Sequence, residues 1–199
     1  LTIHNLFPIP IGSYKIGREL TLDELKYLDG LLRRPNVGNA TSCSSTILES
    51  QELSELTRFI LGSLKSYFIQ VYDPLHDVKL KITQSWCNYT KPGQHHHKHN
   101  HGNSFISGVF YVKADKMIDK LYFYQDAYQQ LQIQPKVWNL WNARSWWLEV
   151  GAGDLLLFPS ALTHEVAAVE GTEERISISF NTFPIGILGD ERDLTLVKV

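Results

Sequence analysis

Apolar residues along this chain change their spacing once, near residue 75, and the change separates two kinds of element. Before it, Leu22, Leu25, Leu28 and Leu32, and then Leu53, Leu56, Ile60, Leu64, Tyr67 and Val71, recur as they do on one stripe of an amphipathic helix. Thr21 and Glu24 make a capping box that opens the first helix, Arg33 and Arg34 suit its last turn, and Pro35 stops it. The second helix is predicted over residues 50–72 and ends at Asp73-Pro74. Ahead of both, residues 6–16 alternate loosely and carry Pro8 and Pro10, which suits an edge strand. Residues 36–46 are polar and small and read as a loop.

Beyond residue 75 the period is two. Residues 79–89 place Leu80, Ile82, Gln84, Trp86 and Asn88 on one face, apolar at first and then polar, as in a strand entering a pocket. Turns at Lys91-Pro92-Gly93 and Gly151-Ala152-Gly153-Asp154 punctuate further strands over 104–113, 121–124, 155–158, 165–169 and 175–183. Between Gln125 and Trp147 the pattern is irregular and holds Trp138, Trp141, Trp146 and Trp147; it reads as a lid or binding surface, or as packing against the helices. Two helices followed by about eight short strands predict a mainly β fold, a jelly roll or double-stranded β-helix buttressed by the helices. One domain is expected over 1–199, with 1–75 supplying the edge strand and helices and 76–199 the barrel.

Composition narrows the class. Hydrophobic content of 43% with 20% charged residues fits an ordinary soluble domain. A net charge of −2 leaves no basic footprint and argues against nucleic acid as a partner. No run approaches the roughly 18 apolar residues of a membrane span, and the first residues lack a signal-peptide pattern. Cys43 and Cys87 are too few for a disulfide framework, so a cytoplasmic setting is expected.

The chemistry gathers in KPGQHHHKHNHGNSFISGVFYV, residues 91–112, where five of the eight histidines lie between His95 and His101. His99 and His101 share one face of an extended strand, a face that continues as Asn103, Phe105, Ser107, Val109 and Tyr111. His164, after a strand and turn, offers a third imidazole; such ligands suit Fe, Zn, Cu or Ni. His96 is a candidate ligand, a donor to a ligand, or a pocket wall, whereas His95 and His97 read as incidental. The cluster is also compatible with a solvated loop or a fortuitous metal sink. Farther on, Ile176, Ile178 and Phe180 alternate with Arg175, Ser177, Ser179 and Asn181. A buried guanidinium needs a counter-charge. No acidic partner is evident in the sequence, so a bound carboxylate is expected beside Arg175 and Ser177.

Together these residues resemble the Fe(II)- and 2-oxoglutarate-dependent oxygenases, especially the prolyl-4-hydroxylase-like branch. Pro92-Gly93-Gln94 leading to His99-Asn100-His101 resembles the turn before that family's H-x-D motif, and FPSALTHEVAAVEGTEERISISF resembles its distal block. The opening LFPIPI and SFISGVFYV are similar to a subgroup from bacteria and their phages. The resemblance implies Fe(II) held by His99, His101 and His164, with 2-oxoglutarate gripped by Arg175, Ser177 and Tyr111 in a pocket that Trp86 and Asn88 line. It implies a hydroxylase that oxidises a substrate C–H bond with release of succinate and CO2. His101 departs from the family, which keeps Asp or Glu there; the site would carry one more positive charge. The spacing Gly93, His99-x-His101, then Gly153, Pro159 and His164 also resembles the cupin motifs. A three-histidine cupin-type metalloenzyme or a non-catalytic metal-binding jelly roll is therefore the alternative, and Arg175-x-Ser177 favours the oxygenase. The substrate, whether a small molecule, a peptidyl residue or a nucleobase, is left open by the sequence, as is homo-oligomerisation.

Overall fold

The computed structural model describes residues 1–125 and 133–199. Its strands form two facing sheets of a double-stranded β-helix. Strands β1 (Gly12–Lys15), β2 (Arg33–Pro35), β3 (Ala40–Ser42), β4 (Lys79–Thr90), β6 (Ile106–Lys113), β9 (Asp154–Pro159) and β11 (Arg175–Ile185) make the larger sheet, in the order β1-β9-β6-β11-β4-β3-β2. The smaller sheet, in the order β5-β10-β7-β8, comprises β5 (His96–His99), β7 (Lys120–Tyr124), β8 (Ser145–Glu149) and β10 (His164–Val166). A two-residue pair, β12 (Ile187–Leu188) and β13 (Val197–Lys198), follows the last long strand.

Helix α2 (Ser54–Tyr72), preceded by two short 3-10 turns, backs the larger sheet. Leu53, Leu56, Ile60, Leu64 and Tyr67 are buried against Cys87, Tyr89, Phe110, Leu155, Leu157, Ile178 and Phe180. Val71, the last residue of the expected stripe, is 36% exposed. Asp73 closes the helix in a left-handed conformation before Pro74.

Helix α1 (Leu22–Asp29) opens on the Thr21–Glu24 capping box but ends at Gly30, earlier than Pro35 implied. Its expected leucine stripe is not a core stripe: Leu28 is buried, whereas Leu22 is 84% and Leu32 79% exposed. Glu24 takes the inward position instead, because Arg18 grips both its oxygens at 2.7 and 2.8 Å. Arg33 and Arg34, read as a last helical turn, lie in β2 and extend the sheet. The expected loop over 36–46 contains β3, whose Ala40 and Thr41 pair with Tyr89 and Asn88 of β4. The expected edge strand shrinks to Gly12–Lys15, beyond both prolines, and is indeed an edge, paired to β9 alone.

Two irregularities aim side chains at the space between the sheets. In β4 the register with β11 shifts between Gln84 and Ile82, so Thr83 is an extra residue. Leu80 and Ile82 therefore pack with the helix-backed core, while Trp86 and Asn88 face the other way. The single apolar-to-polar face expected over 79–89 is really two faces joined by a bulge. The face expected to run from His99 to Tyr111 is likewise interrupted. A turn at Gly102-Asn103 carries the chain from the smaller sheet to the larger, and Phe105 packs with the helical core instead.

Candidate active site

On β11 alternation performs as expected. Ile178 and Phe180 point to the helices, and Arg175, Ser177 and Ser179 line the space between the sheets. The register sets Asn88, Ser177 and Tyr111 in one row across β4, β11 and β6, with Trp86, Ser179 and Val109 in the next. Opposite stand His96, His99 and His164 of the smaller sheet, with His101 just past the end of β5. Leu121, Phe158 and Val166 complete the lining with apolar surface.

His164 pairs directly with His99 across β10 and β5. His101 reaches the same point through the loop, where its backbone N–H donates to the Ser160 carbonyl at 3.0 Å. The ligand nitrogens of His99, His101 and His164 lie within 4.8 Å of one another. The Nδ1 of His99 lies 2.7 Å from the His97 carbonyl and that of His164 2.9 Å from the Leu162 carbonyl. A carbonyl only accepts, so each Nδ1 carries the hydrogen and each Nε2 keeps a free lone pair. Burial, followed by repulsion from the neighbouring imidazoles, pushes His101 down to about 3. Burial pushes His164 to about 4, against the opposing pull of the Leu162 carbonyl, and it lowers His99 as well. The three rings are thus neutral donors near neutral pH, the state that a transition metal requires.

His96 also lines this pocket, stacked on His99 at 4.7 Å between ring centres, and burial lowers it to about 3. Trp86 stands 6.0 Å from His101, ring centre to ring centre.

Arg175 differs from expectation in one respect. It has an acidic partner: its Nη1 donates to Asp119 Oδ1 at 2.9 Å, and both side chains are buried. Asp119 is itself fixed, since its Oδ2 accepts the Asp115 N–H at 2.8 Å and its carbonyl accepts the Val150 N–H at 3.1 Å. No spacing rule links Asp119 to Arg175, 56 residues away, so sequence reasoning missed it. The counter-charge does not saturate the guanidinium. Among the described residues, four buried side-chain atoms lack a hydrogen-bond partner: Arg175 Nη2, Tyr111 OH, Asn88 Oδ1 and His97 Nδ1. Three of the four belong to residues lining this pocket. Buried polar atoms of this kind are uncommon, and a bound ligand, ion or water is what satisfies them. Two of them, Arg175 Nη2 and Tyr111 OH, are donors suited to a carboxylate. The donor sets therefore fit both a divalent metal and a dicarboxylate.

The tryptophan-rich stretch separates into parts. Trp146 and Trp147 lie in β8, stacked at 5.0 Å, and Trp141 donates its indole N–H to Asn5 at 2.8 Å. These contacts tie the stretch to β7 and to the N-terminal residues. Trp138 and Trp141 are more than half exposed. The part of this stretch at 126–132 lies outside the described residues. No described helix is long and apolar enough to cross a membrane.

Known proteins share this architecture. HygX from Streptomyces hygroscopicus, solved with nickel, 2-oxoglutarate and hygromycin B, superposes with a TM-score of 0.60 at 11% identity, over 87% of this chain and 82% of that one. A Pseudomonas putida prolyl-4-hydroxylase gives 0.56 at 14% identity, over 87% and 92%. A Trichoplax adhaerens prolyl hydroxylase, in complex with a hypoxia inducible factor peptide fragment, gives 0.58 at 12%, over 87% and 83%. At such identities the likeness speaks for the fold. No curated protein sequence matches the chain. A family model described as "Putative 2OG-Fe(II) oxygenase" matches residues 84–181, the stretch that contains the histidine triad, Tyr111, Asp119 and Arg175. Over that stretch the chain matches the 2OG-Fe(II) oxygenase family, non-haem enzymes that use Fe(II) and 2-oxoglutarate.

Proposed function

We propose that this protein is a hydroxylase that oxidises a C–H bond of its substrate while 2-oxoglutarate is converted to succinate and CO2. The observation that carries the reading is the pair of unpartnered donors, Arg175 Nη2 and Tyr111 OH, in the same pocket as three converging neutral imidazoles.

His99, His101 and His164 hold the metal, and the carbonyls of His97 and Leu162 fix the tautomers of two of them. When bound, Fe(II) supplies the coupling of oxygen reduction to cosubstrate decarboxylation. Arg175 and Tyr111 donate to the far carboxylate of 2-oxoglutarate, with Ser177 beside them, so that the 2-oxo acid end faces the histidines. Asp119 fixes the guanidinium through Nη1 and leaves Nη2 for the cosubstrate. Leu121, Phe158 and Val166 exclude water from the cosubstrate. With His101 in place of the family's acid, the three residues that would hold the metal are all neutral imidazoles and would bring no charge to offset its own. The substrate is a small molecule or a peptidyl group. The solved neighbours, one with hygromycin B and one with a peptide bound, are compatible with either.

Anaerobic loading with Fe(II) and 2-oxoglutarate, followed by oxygen, tests the reading. Succinate formation that is lost in Arg175→Ala and His164→Ala supports it. Metal binding without any binding or turnover of 2-oxoglutarate would hand the site to a cupin-type or non-catalytic function.

A further inference from the structure

The triad leaves three of the clustered histidines, His95, His96 and His97, without a task, and two of them stand beside His99. Strand β5 pairs His99 with His164 and His96 with Val166, so His97 and Lys98 together oppose the single residue Glu165. This is a bulge, and it brings residues three apart in sequence to one face. Lys98 leaves that face, its Nζ 3.7 Å from the centre of the Tyr124 ring.

As a result His96, His97 and His99 form a group of their own, with ligand nitrogens within 4.8 Å of one another. Their ring centres are 4.7, 4.8 and 5.3 Å apart, against 4.4, 4.9 and 5.1 Å in the triad. A tetrahedral ion with metal–nitrogen bonds of about 2 Å sets imidazole centres about 5 Å apart, so both groups have the right spacing. A second observation points the same way. His97 Nδ1 is buried and has no hydrogen-bond partner, a condition that a bound ion would relieve.

We propose that His96, His97 and His99 are a second site for a divalent transition metal, and that this site and the triad exclude one another. His99 belongs to both groups. Its Nδ1–H is donated to the His97 carbonyl, so it has one lone pair to give. Only one ion can be held at a time. The outer group consists of half-buried residues, whereas the triad includes the buried His164. An ion taken at the outer group reaches the triad by keeping His99 and exchanging His96 and His97 for His101 and His164. The hand-over rests on the triad being the catalytic metal site; the outer site itself does not.

Cobalt(II) titration with visible absorption, and zinc(II) calorimetry, test it without any turnover. The double variant His101→Ala/His164→Ala removes the triad and is expected to bind one equivalent, which is lost when His97→Ala is added. A double variant that binds nothing, or a triple variant that binds as well as the double, overturns the site. The wild-type protein is expected to bind one equivalent here, not two. His97→Ala alone is expected to keep that stoichiometry but to take up zinc several-fold more slowly from a chromogenic chelator. An unchanged uptake rate overturns the hand-over even if the double variant misfolds. Loss of binding in the wild type after His97→Ala would instead count against the triad.

Discussion

Two tyrosines on opposite faces of the larger sheet are equally buried, each 1% exposed, and differ at the hydroxyl. Tyr89 faces the helices and donates its hydroxyl hydrogen to the Leu28 carbonyl at the end of α1. Tyr111 faces the smaller sheet and its hydroxyl has no partner. The contrast extends to the faces as wholes. None of the four unpartnered buried atoms belongs to the helix-backed core, where Leu, Ile and Phe side chains fill the space. An unsatisfied buried group costs about 1–3 kcal/mol, and a fully buried large aliphatic side chain contributes about 1.5–3 kcal/mol. One face therefore supplies stability, and the other retains unmet hydrogen-bonding capacity that a ligand can use.

The most severe way to break this division is at the metal. His164→Ala is expected to reduce succinate formation at least ~100-fold while leaving the thermal midpoint of the metal-free protein nearly unchanged, because the ligand's role lies in holding the metal. Next comes the buried ion pair. Arg175→Ala strands the Asp119 carboxylate and is expected to destabilise the protein by about 3–5 kcal/mol in urea unfolding. Asp119→Leu combined with Arg175→Met should recover most of that loss while still failing to bind 2-oxoglutarate. A double variant as unstable as Arg175→Ala would mean that packing, and not the stranded charge, sets the penalty.

Gly108 probes the helix-backed face, since a Cβ there would stand 2.2 Å from Phe180 Cζ. Gly108→Ala should cost about 1–3 kcal/mol through overpacking, with the affinity of the surviving folded protein for 2-oxoglutarate little changed. The smallest effect makes the sharpest comparison. Tyr89→Phe should destabilise by about 1 kcal/mol, whereas Tyr111→Phe should leave metal-free stability level or slightly higher. The same Tyr111→Phe change should weaken 2-oxoglutarate binding by a factor of about five to ten, as for one lost hydrogen bond. Equal stability losses in the two variants would show that the Tyr111 hydroxyl is satisfied after all.

Much of this division can be read from alternation. In β11 the apolar even positions and polar odd positions predict which side faces the helices, and every one of those assignments from Arg175 to Phe180 agrees with the packing. Reading failed where the period slips. The extra residue at Thr83 moves Leu80 and Ile82 to the face opposite Trp86, and nothing in the residue types announces it. In α1 the leucine spacing misled, because buried Glu24, held by half-buried Arg18, replaced apolar contact at the inward position. His97 looked incidental because a bulge, invisible in sequence, is what brings His96 to the face of His99 and so completes a second group.

The sequence by itself determined the two helices, the long strands, the histidines that converge and the arginine strand, because period and side-chain chemistry are local properties. Only the tertiary structure decided that Asp119 holds Arg175, that a bulge doubles the histidine groups, and that Tyr111 stays unpartnered while Tyr89 does not. Each of these depends on which strand lies beside which, and on single-residue shifts of register whose cost is repaid by contacts far away in the chain.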